Sequence, residues 1–255
     1  MPERPTVAVH LLPSLIPPGA LAGGVAVVVD VLRATTAMLH ALAAGCEAVI
    51  PCLEVDDARK VAASLPPGTT ILGGERGGVQ IEGFDLGNSP ASYTHELCRG
   101  KTLVITTTNG TRAILASLEA EQVYIAAFVN LKATVELLTV NLLKAQGRPM
   151  HIVCSGTEGF VSLEDTLLAG ALTASLTDWD VAPANDSAIL AAASWRATAH
   201  RLSHESLAKV LAEGRGGHNV RRIGLGPDID DAAAVDRLNL TAVLRRDPLR
   251  IVKHS

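Results

Sequence analysis

Aromatic residues are scarce in this chain: Phe, Trp and Tyr together make up 3 % of it. The core must therefore be built from Ala, Val, Leu and Ile, as is usual where helices pack on a sheet. Basic residues are not in excess either, with 22 Lys and Arg against 26 Asp and Glu and a formal net charge of −4. That balance gives no support for a nucleic-acid partner. Arg221, Arg222, Arg245, Arg246 and Arg250 read as a solvated surface. The four cysteines, Cys46, Cys52, Cys98 and Cys154, form no C-x-x-C pair and read as reduced, mostly buried thiols of a cytosolic protein. No basic segment followed by an apolar run opens the chain, so no signal peptide is expected. No stretch is long and apolar enough to span a bilayer. The expectation is a cytoplasmic protein with neither a membrane nor a nucleic-acid partner. What is present is 255 residues, 48 % of them hydrophobic, with a mean hydropathy of +0.28. That is enough to bury a proper core, as one large α/β domain or two small ones.

The stretch that organises the chain is Thr106-Thr107-Thr108-Asn109-Gly110-Thr111-Arg112. Before it, Lys101 to Ile105 is apolar and β-branched, as a buried parallel strand would be. After it, Ala113 to Leu118 carries apolar residues at helical spacing. A strand that ends in such a loop and opens a helix offers free backbone N–H groups and the positive end of the helix dipole, which is an anion site. Arg112 could add a two-pronged grip. Taken alone, the turn reads equally well as an ordinary N-cap beside a surface arginine.

Other strands end in comparable turns. Thr6–His10 is a first short strand, and Val25–Val29 is the cleanest buried one. The latter ends on Asp30, and Val31-Leu32-Arg33-Ala34-Thr35-Thr36 leads into an alanine-rich helix through Ala44. An acid at an inner strand's carboxyl tip sits where α/β proteins bind ligands; a helix cap or an ion pair with Arg33 is the structural alternative. Ala48–Pro51 and Thr70–Gly74 are further strands, the second running into Glu75-Arg76-Gly77-Gly78. Glycines there permit positive φ and close approach to a ligand. Phe84 to Pro90 follows as an irregular, polar loop of functional or merely superficial character. Gln122–Ala126 is a strand, Leu131 to Ala145 a helix, and Met150–Cys154 a strand whose loop, Ser155 to Gly159, precedes a helix from Ser162 to about Leu176. Ser162 and Asp165 are spaced as in a capping box. Glu164 and Asp165 thus suit a helix start and a metal site equally. Asn185-Asp186-Ser187 opens another helix, with His200 and His204 on an exposed face. Gly214 to Asn219 reads as a glycine-rich loop that could bring His218 to a ligand. Asp228, Asp230 and Asp231 read mainly as helix-capping.

In a parallel sheet the carboxyl ends lie on one edge, so the turns Asp30–Thr36, Thr106–Arg112 and Ser155–Asp165 should converge. Carboxylates suit Mg²⁺, which commonly binds one or two acids plus substrate phosphate and water. Arginines and helix N-termini suit multiply charged anions. The combination favours Mg²⁺-dependent phosphoryl transfer or hydrolysis on a small dianion. Gly73 to Gly78 does not match a P-loop, which argues against a nucleoside triphosphate. Cys154 opens no C-x5-R phosphatase loop, because residue 160 is Phe.

Asp30 to Thr36, Gly74 to Gly78, Gly83 to Pro90, Thr106 to Arg112, Gly156 to Gly159, Ser162 to Asp165 and Asn185 to Ser187 resemble, in order, the signature segments of the 2-phosphosulfolactate phosphatase family. The resemblance implies Mg²⁺-dependent hydrolysis of (R)-2-phospho-3-sulfolactate to 3-sulfolactate and phosphate, a step of coenzyme M biosynthesis in methanogens. Asp30, Glu164 and Asp165 are assigned to the metal, directly or through water. Asp30 and Glu75 are the catalytic candidates, Glu75 as general base. Arg33, Arg76, Thr108, Asn109, Gly110, Thr111 and Arg112 are assigned to the substrate. Two other functions stay open: a phosphatase for another small phosphorylated acid, and a non-enzymatic anion-binding metabolite sensor. The expected fold is a three-layer α/β/α arrangement with mostly parallel strands. It is one domain over residues 1–255, with a division into two lobes near Gln146-Gly147-Arg148-Pro149 left open, the site then lying between them. A homodimer is expected only because symmetric dimers are the commonest assemblies.

Overall fold

The computed structural model describes residues 4–144 and 148–254. Ala145, Gln146 and Gly147, on which the end of one expected helix and the expected lobe boundary fall, lie outside the described residues. In chain order the elements are β1 (Thr6–His10), β2 (Val25–Val29), α1 (Ala34–Ala43), β3 (Ala48–Pro51), α2 (Val55–Ser64), β4 (Thr70–Arg76), β5 (Val79–Gln80), α3 (His95–Cys98), β6 (Thr102–Thr106) and α4 (Gly110–Ala116). There follow β7 (Gln122–Ala126), α5 (Leu131–Lys144), β8 (Met150–Cys154), α6 (Leu163–Thr177), β9 (Ala182–Pro183) and α7 (Asp186–Arg201). The chain closes with α8 (Leu207–Leu211), α9 (Arg215–Arg222), α10 (Pro227–Ala232), β10 (Ala242–Arg246) and β11 (Leu249–Lys253).

The eleven strands among the described residues form one sheet, ordered β5-β4-β6-β3-β11-β10-β7-β2-β8-β1-β9. It is mixed and mostly parallel, with helices on both faces, as expected. Alternating side chains divide between those faces. Ala26, Val28, Val123, Ile125, Leu103 and Ile105 pack with α1 and α4. Val27, Val29, Tyr124 and Ile152 pack with Leu138 of α5, Leu168 and Leu172 of α6, and Ala191 of α7. Val104 on that second face meets Ala58 of α2.

The sheet differs from the expectation in one respect that matters for the site. Strands β4, β6 and β3 are parallel to each other, as are β7, β2, β8, β1 and β9. Between the groups lies the C-terminal hairpin β10–β11, antiparallel within itself and to both neighbours. Three reversals in succession leave the two groups running in opposite senses, so a flat sheet would put their carboxyl ends on opposite edges. Sheets are not flat. Neighbouring strands rotate by about 20–25° per step, and the interval from β6 to β2 accumulates roughly 100–125°. Helix α4, which follows β6, packs on β2, and α1, which follows β2, packs on β3 and β7. These crossings carry the loop after β6 to the tip of β2.

Candidate active site

Asp30, Arg33, Glu75, Thr108 and Asn109 line one cavity of about 90 Å³, with Asn88, Thr157, Asn219 and Arg222. The convergence expected from the turns is therefore realised, although not along a single parallel edge. Glu164 stands behind this wall, against Gly216, which lines the cavity.

Asp30 leaves β2 with its side chain buried, and its Oδ1 accepts a hydrogen bond of 3.1 Å from Ala34 N. It therefore caps α1 and lines the cavity at once. The expected alternative, an ion pair with Arg33, does not form. Gly110 is a glycine because a Cβ there would stand 2.5 Å from Ala34 Cβ and 2.8 Å from Asp30 Oδ2. Burial first, then the Asp165 carboxylate, holds Asp30 well above the ordinary carboxylate range.

Glu75 accepts hydrogen bonds from Thr108 N at 2.7 Å, Gly78 N at 2.7 Å and Thr108 Oγ1 at 3.2 Å. It clamps the β6–α4 loop to the β4–β5 turn, where Gly77 and Gly78 both have positive φ, the combination a two-residue hairpin needs. Thr111 is buried and exchanges hydrogen bonds with Thr107, fixing the same loop from inside. Asn109 Oδ1 accepts from Glu158 N at 3.3 Å, tying the loop to the one after β8.

Asp165 joins the loops after β2 and β8: its Oδ1 accepts from Val31 N at 2.8 Å and its Oδ2 from Gly156 N at 3.0 Å. The expected capping box is absent, since Ser162 makes no side-chain cap bond. Asp165 turns across to the neighbouring loop instead. Glu164 Oε2 is buried without a hydrogen-bond partner, although Thr157 and Ser162 lie near enough to be felt by its charge. Burial first, and the neighbouring carboxylates second, push Glu164 and Asp165 each up to about 7.

The arginines divide. Arg33 is buried, donating to Asp228 Oδ2 at 2.6 Å, Gly78 O at 2.6 Å and Ser89 Oγ at 3.3 Å. Asp228 is thus the buried partner of Arg33 and not a cap. Arg76 turns its guanidinium to Leu53 O, Thr106 Oγ1 and Glu75 O, away from the cavity lining. Arg112 is exposed and does not line the cavity. Gly214 to Asn219 is not a loop: residues from Arg215 onward form α9, which leaves His218 exposed and turns Asn219 to the cavity. Glycines serve that helix because a Cβ at Gly216 would collide with the Glu164 carboxylate, and one at Gly217 with the backbone of Leu211 and Ala212. Arg222, read from sequence as surface, and Asn88 are the notable additions. Only the helical spacing of 219, 222 and 223 could have signalled this wall.

Among the described residues no three Asp, Glu, His or Cys side chains converge on a point that could hold a metal ion. Mg²⁺ asks for less, using one or two carboxylates while water and substrate phosphate complete its octahedron. The donor set fits that mode, with Asp30 facing the cavity and an unpartnered Glu164 oxygen behind it.

A model of the 2-phosphosulpholactate phosphatase family matches residues 10–247. The chain belongs to this family of phosphoric monoester hydrolases. A probable 2-phosphosulfolactate phosphatase of Symbiobacterium thermophilum is 39 % identical over 231 residues, covering 89 % of this chain and 94 % of that relative. One from Prochlorococcus marinus strain MIT 9313 is 40 % identical over 224 residues, or 86 % and 88 % of the two chains. One from Caldicellulosiruptor saccharolyticus is 45 % identical over 145 residues, or 57 % and 59 %. No helix among the described residues is long and apolar enough to cross a membrane.

The raised carboxylates make a prediction about the metal-free protein. Burial and the neighbouring carboxylates push Asp165 and Glu164 up to about 7 in the folded protein, from ordinary values of 3.8 and 4.5. Between those limits the folded state binds more protons than the unfolded one, so stability falls as pH rises through that window. The melting temperature of EDTA-treated protein should fall between pH 5 and pH 8, and fall less in a Glu164→Gln variant, which lacks one of the two titrating groups. An equal fall in both proteins would contradict it.

Proposed function

We propose that this chain is a cytoplasmic, Mg²⁺-dependent phosphatase that hydrolyses 2-phosphosulfolactate to 3-sulfolactate and phosphate, as in coenzyme M biosynthesis. The observation that carries the reading is the acidic floor of the cavity. Asp30 and Glu75 line it, and Glu164 and Asp165 stand close enough that Asp30 or each other feel their charge. A polyanion would be repelled there unless a divalent cation came with it. Asp30 would hold the cation, with Glu164 reaching it through water. Such a cation supplies charge compensation and an acidified water when bound.

The chain's own residues do the positioning. Asn109 presents its side-chain amide to the phosphoryl oxygens, and Thr108, whose N–H and hydroxyl are both donated to Glu75, holds that loop together with the Thr107–Thr111 pair. Glu75, whose oxygens already accept three hydrogen bonds, is assigned to this clamp in place of the general-base role. Arg33 fixes the β4–β5 turn and the Ser89 loop around the mouth. Arg76 and Arg112 are given no substrate contact.

The test is phosphate release from 2-phosphosulfolactate and 2-phospholactate, with Mg²⁺ and with EDTA. Turnover of the first with Mg²⁺, lost in EDTA, is the expected result. Release from neither substrate, with binding of both, would indicate a metabolite sensor. Turnover of only some other phosphorylated acid would keep the chemistry and change the substrate.

A further inference from the structure

A small substrate bearing a phosphate, a carboxylate and a sulfonate needs a cation for the acid furthest from the phosphoryl group. Two arginines line the cavity. Arg33 is 4 % exposed and its guanidinium is taken by Asp228, Gly78 O and Ser89. Arg222 is exposed and makes no ion pair or side-chain hydrogen bond among the described residues. It shares α9 with Asn219, one turn earlier, and both line the cavity together with Val220 and Ile223.

The seating of this helix is specific. Gly217 lets it press on the backbone of Leu211 and Ala212, and Gly216 lets it lie against the Glu164 carboxylate. At the far end, a Cβ on Gly78 would stand only 2.7 Å from Ile223 Cδ1, so the helix also abuts the β4–β5 turn. Asn88, 4 % exposed, lines the same cavity.

Building on the phosphatase reading above, we propose that the Asn219–Arg222 face of α9 is the specificity wall for the substrate's second strong acid, with Arg222 pairing the sulfonate. An arginine matches the fork geometry of a sulfonate as it does a phosphate. Val220 and Ile223 on the same face cover the short carbon chain between the two anions. Phosphate esters lacking the far acid leave Arg222 without work to do.

The experiment compares wild type, Arg222→Ala and Arg222→Lys on 2-phosphosulfolactate and on 2-phospholactate, which lacks only the sulfonate. Arg222→Ala should lower kcat/KM for the sulfonate substrate about 10–100-fold, the size of a lost charge-assisted hydrogen bond, mostly through KM. It should leave phospholactate within about twofold, and Lys should restore part of the loss. Equal losses on both substrates, or none on either, would overturn the assignment. Binding of 3-sulfolactate, followed by calorimetry, separates this idea from the phosphatase reading. If wild type hydrolyses neither ester, the phosphatase reading fails, yet 3-sulfolactate bound by wild type and not by Arg222→Ala still supports the wall. Equal binding, or none, sinks it.

Discussion

Asp30→Asn should abolish phosphate release, by about a thousandfold or more, and at the same time raise the melting temperature of the metal-free protein. The two effects have one cause. The Asp30 carboxylate is buried beside Asp165 and Glu75, and folding forces that charge into a site that disfavours it. Asparagine keeps an oxygen for Ala34 N, so the cap on α1 survives, while the charge that would attract the cation and orient the phosphoryl group is gone. Loss of one preorganised electrostatic group at a reacting centre costs about 10²–10³ in kcat, and loss of the cation's anchor adds to it. Removing an unfavourable buried charge should stabilise by about 0.5–2 kcal/mol, a few degrees for a chain of this size. Phosphate release and thermal melts, each with Mg²⁺ and with EDTA, check both halves. A variant that keeps full activity and full Mg²⁺ response would remove Asp30 from the mechanism.

Arg33→Met should cost about 3–5 kcal/mol, the penalty for leaving one member of a buried ion pair alone. In melting temperature that is roughly 6–20 °C. Asp228 would remain buried, keeping only Ser89 of its two partners, and Gly78 O would lose its donor. The double variant Arg33→Met with Asp228→Leu should recover much of the loss, since an apolar pair of similar bulk is often as stable as a buried ion pair. A urea-unfolding double-mutant cycle gives the coupling directly. If Arg33→Met kept wild-type stability and only raised KM, Arg33 would be a substrate grip after all, and the positioning role assigned here would be wrong.

The sequence by itself determined the elements that carry the chemistry. Val25–Val29 had to be an inner strand because nothing polar interrupts it, and its acid had to emerge at a strand tip. The same logic placed Thr107, Thr108 and Asn109 between a strand and a helix. These are local facts, settled by periodicity and by the conformational needs of a few residues. Which partner each side chain takes is not local. Arg33 meets Asp228 across 195 positions of chain, and Val31 meets Asp165 across 134; no spacing rule reaches that far. The C-terminal hairpin was hidden because Arg245, Arg246 and Arg250 interrupt the apolar pattern of its strands, and because only the assembled sheet offers them β3 and β7 as neighbours. Its insertion reversed one half of the sheet against the other, and the accumulated twist then brought the tip of β2 and the loop after β6 together. Tertiary structure also turned an apparent glycine-rich loop into α9, since glycines break helices in isolation but suit one pressed against a carboxylate and a neighbouring backbone. Residue types fixed which groups were available for chemistry, while packing decided which of them face the cavity and which hold its walls.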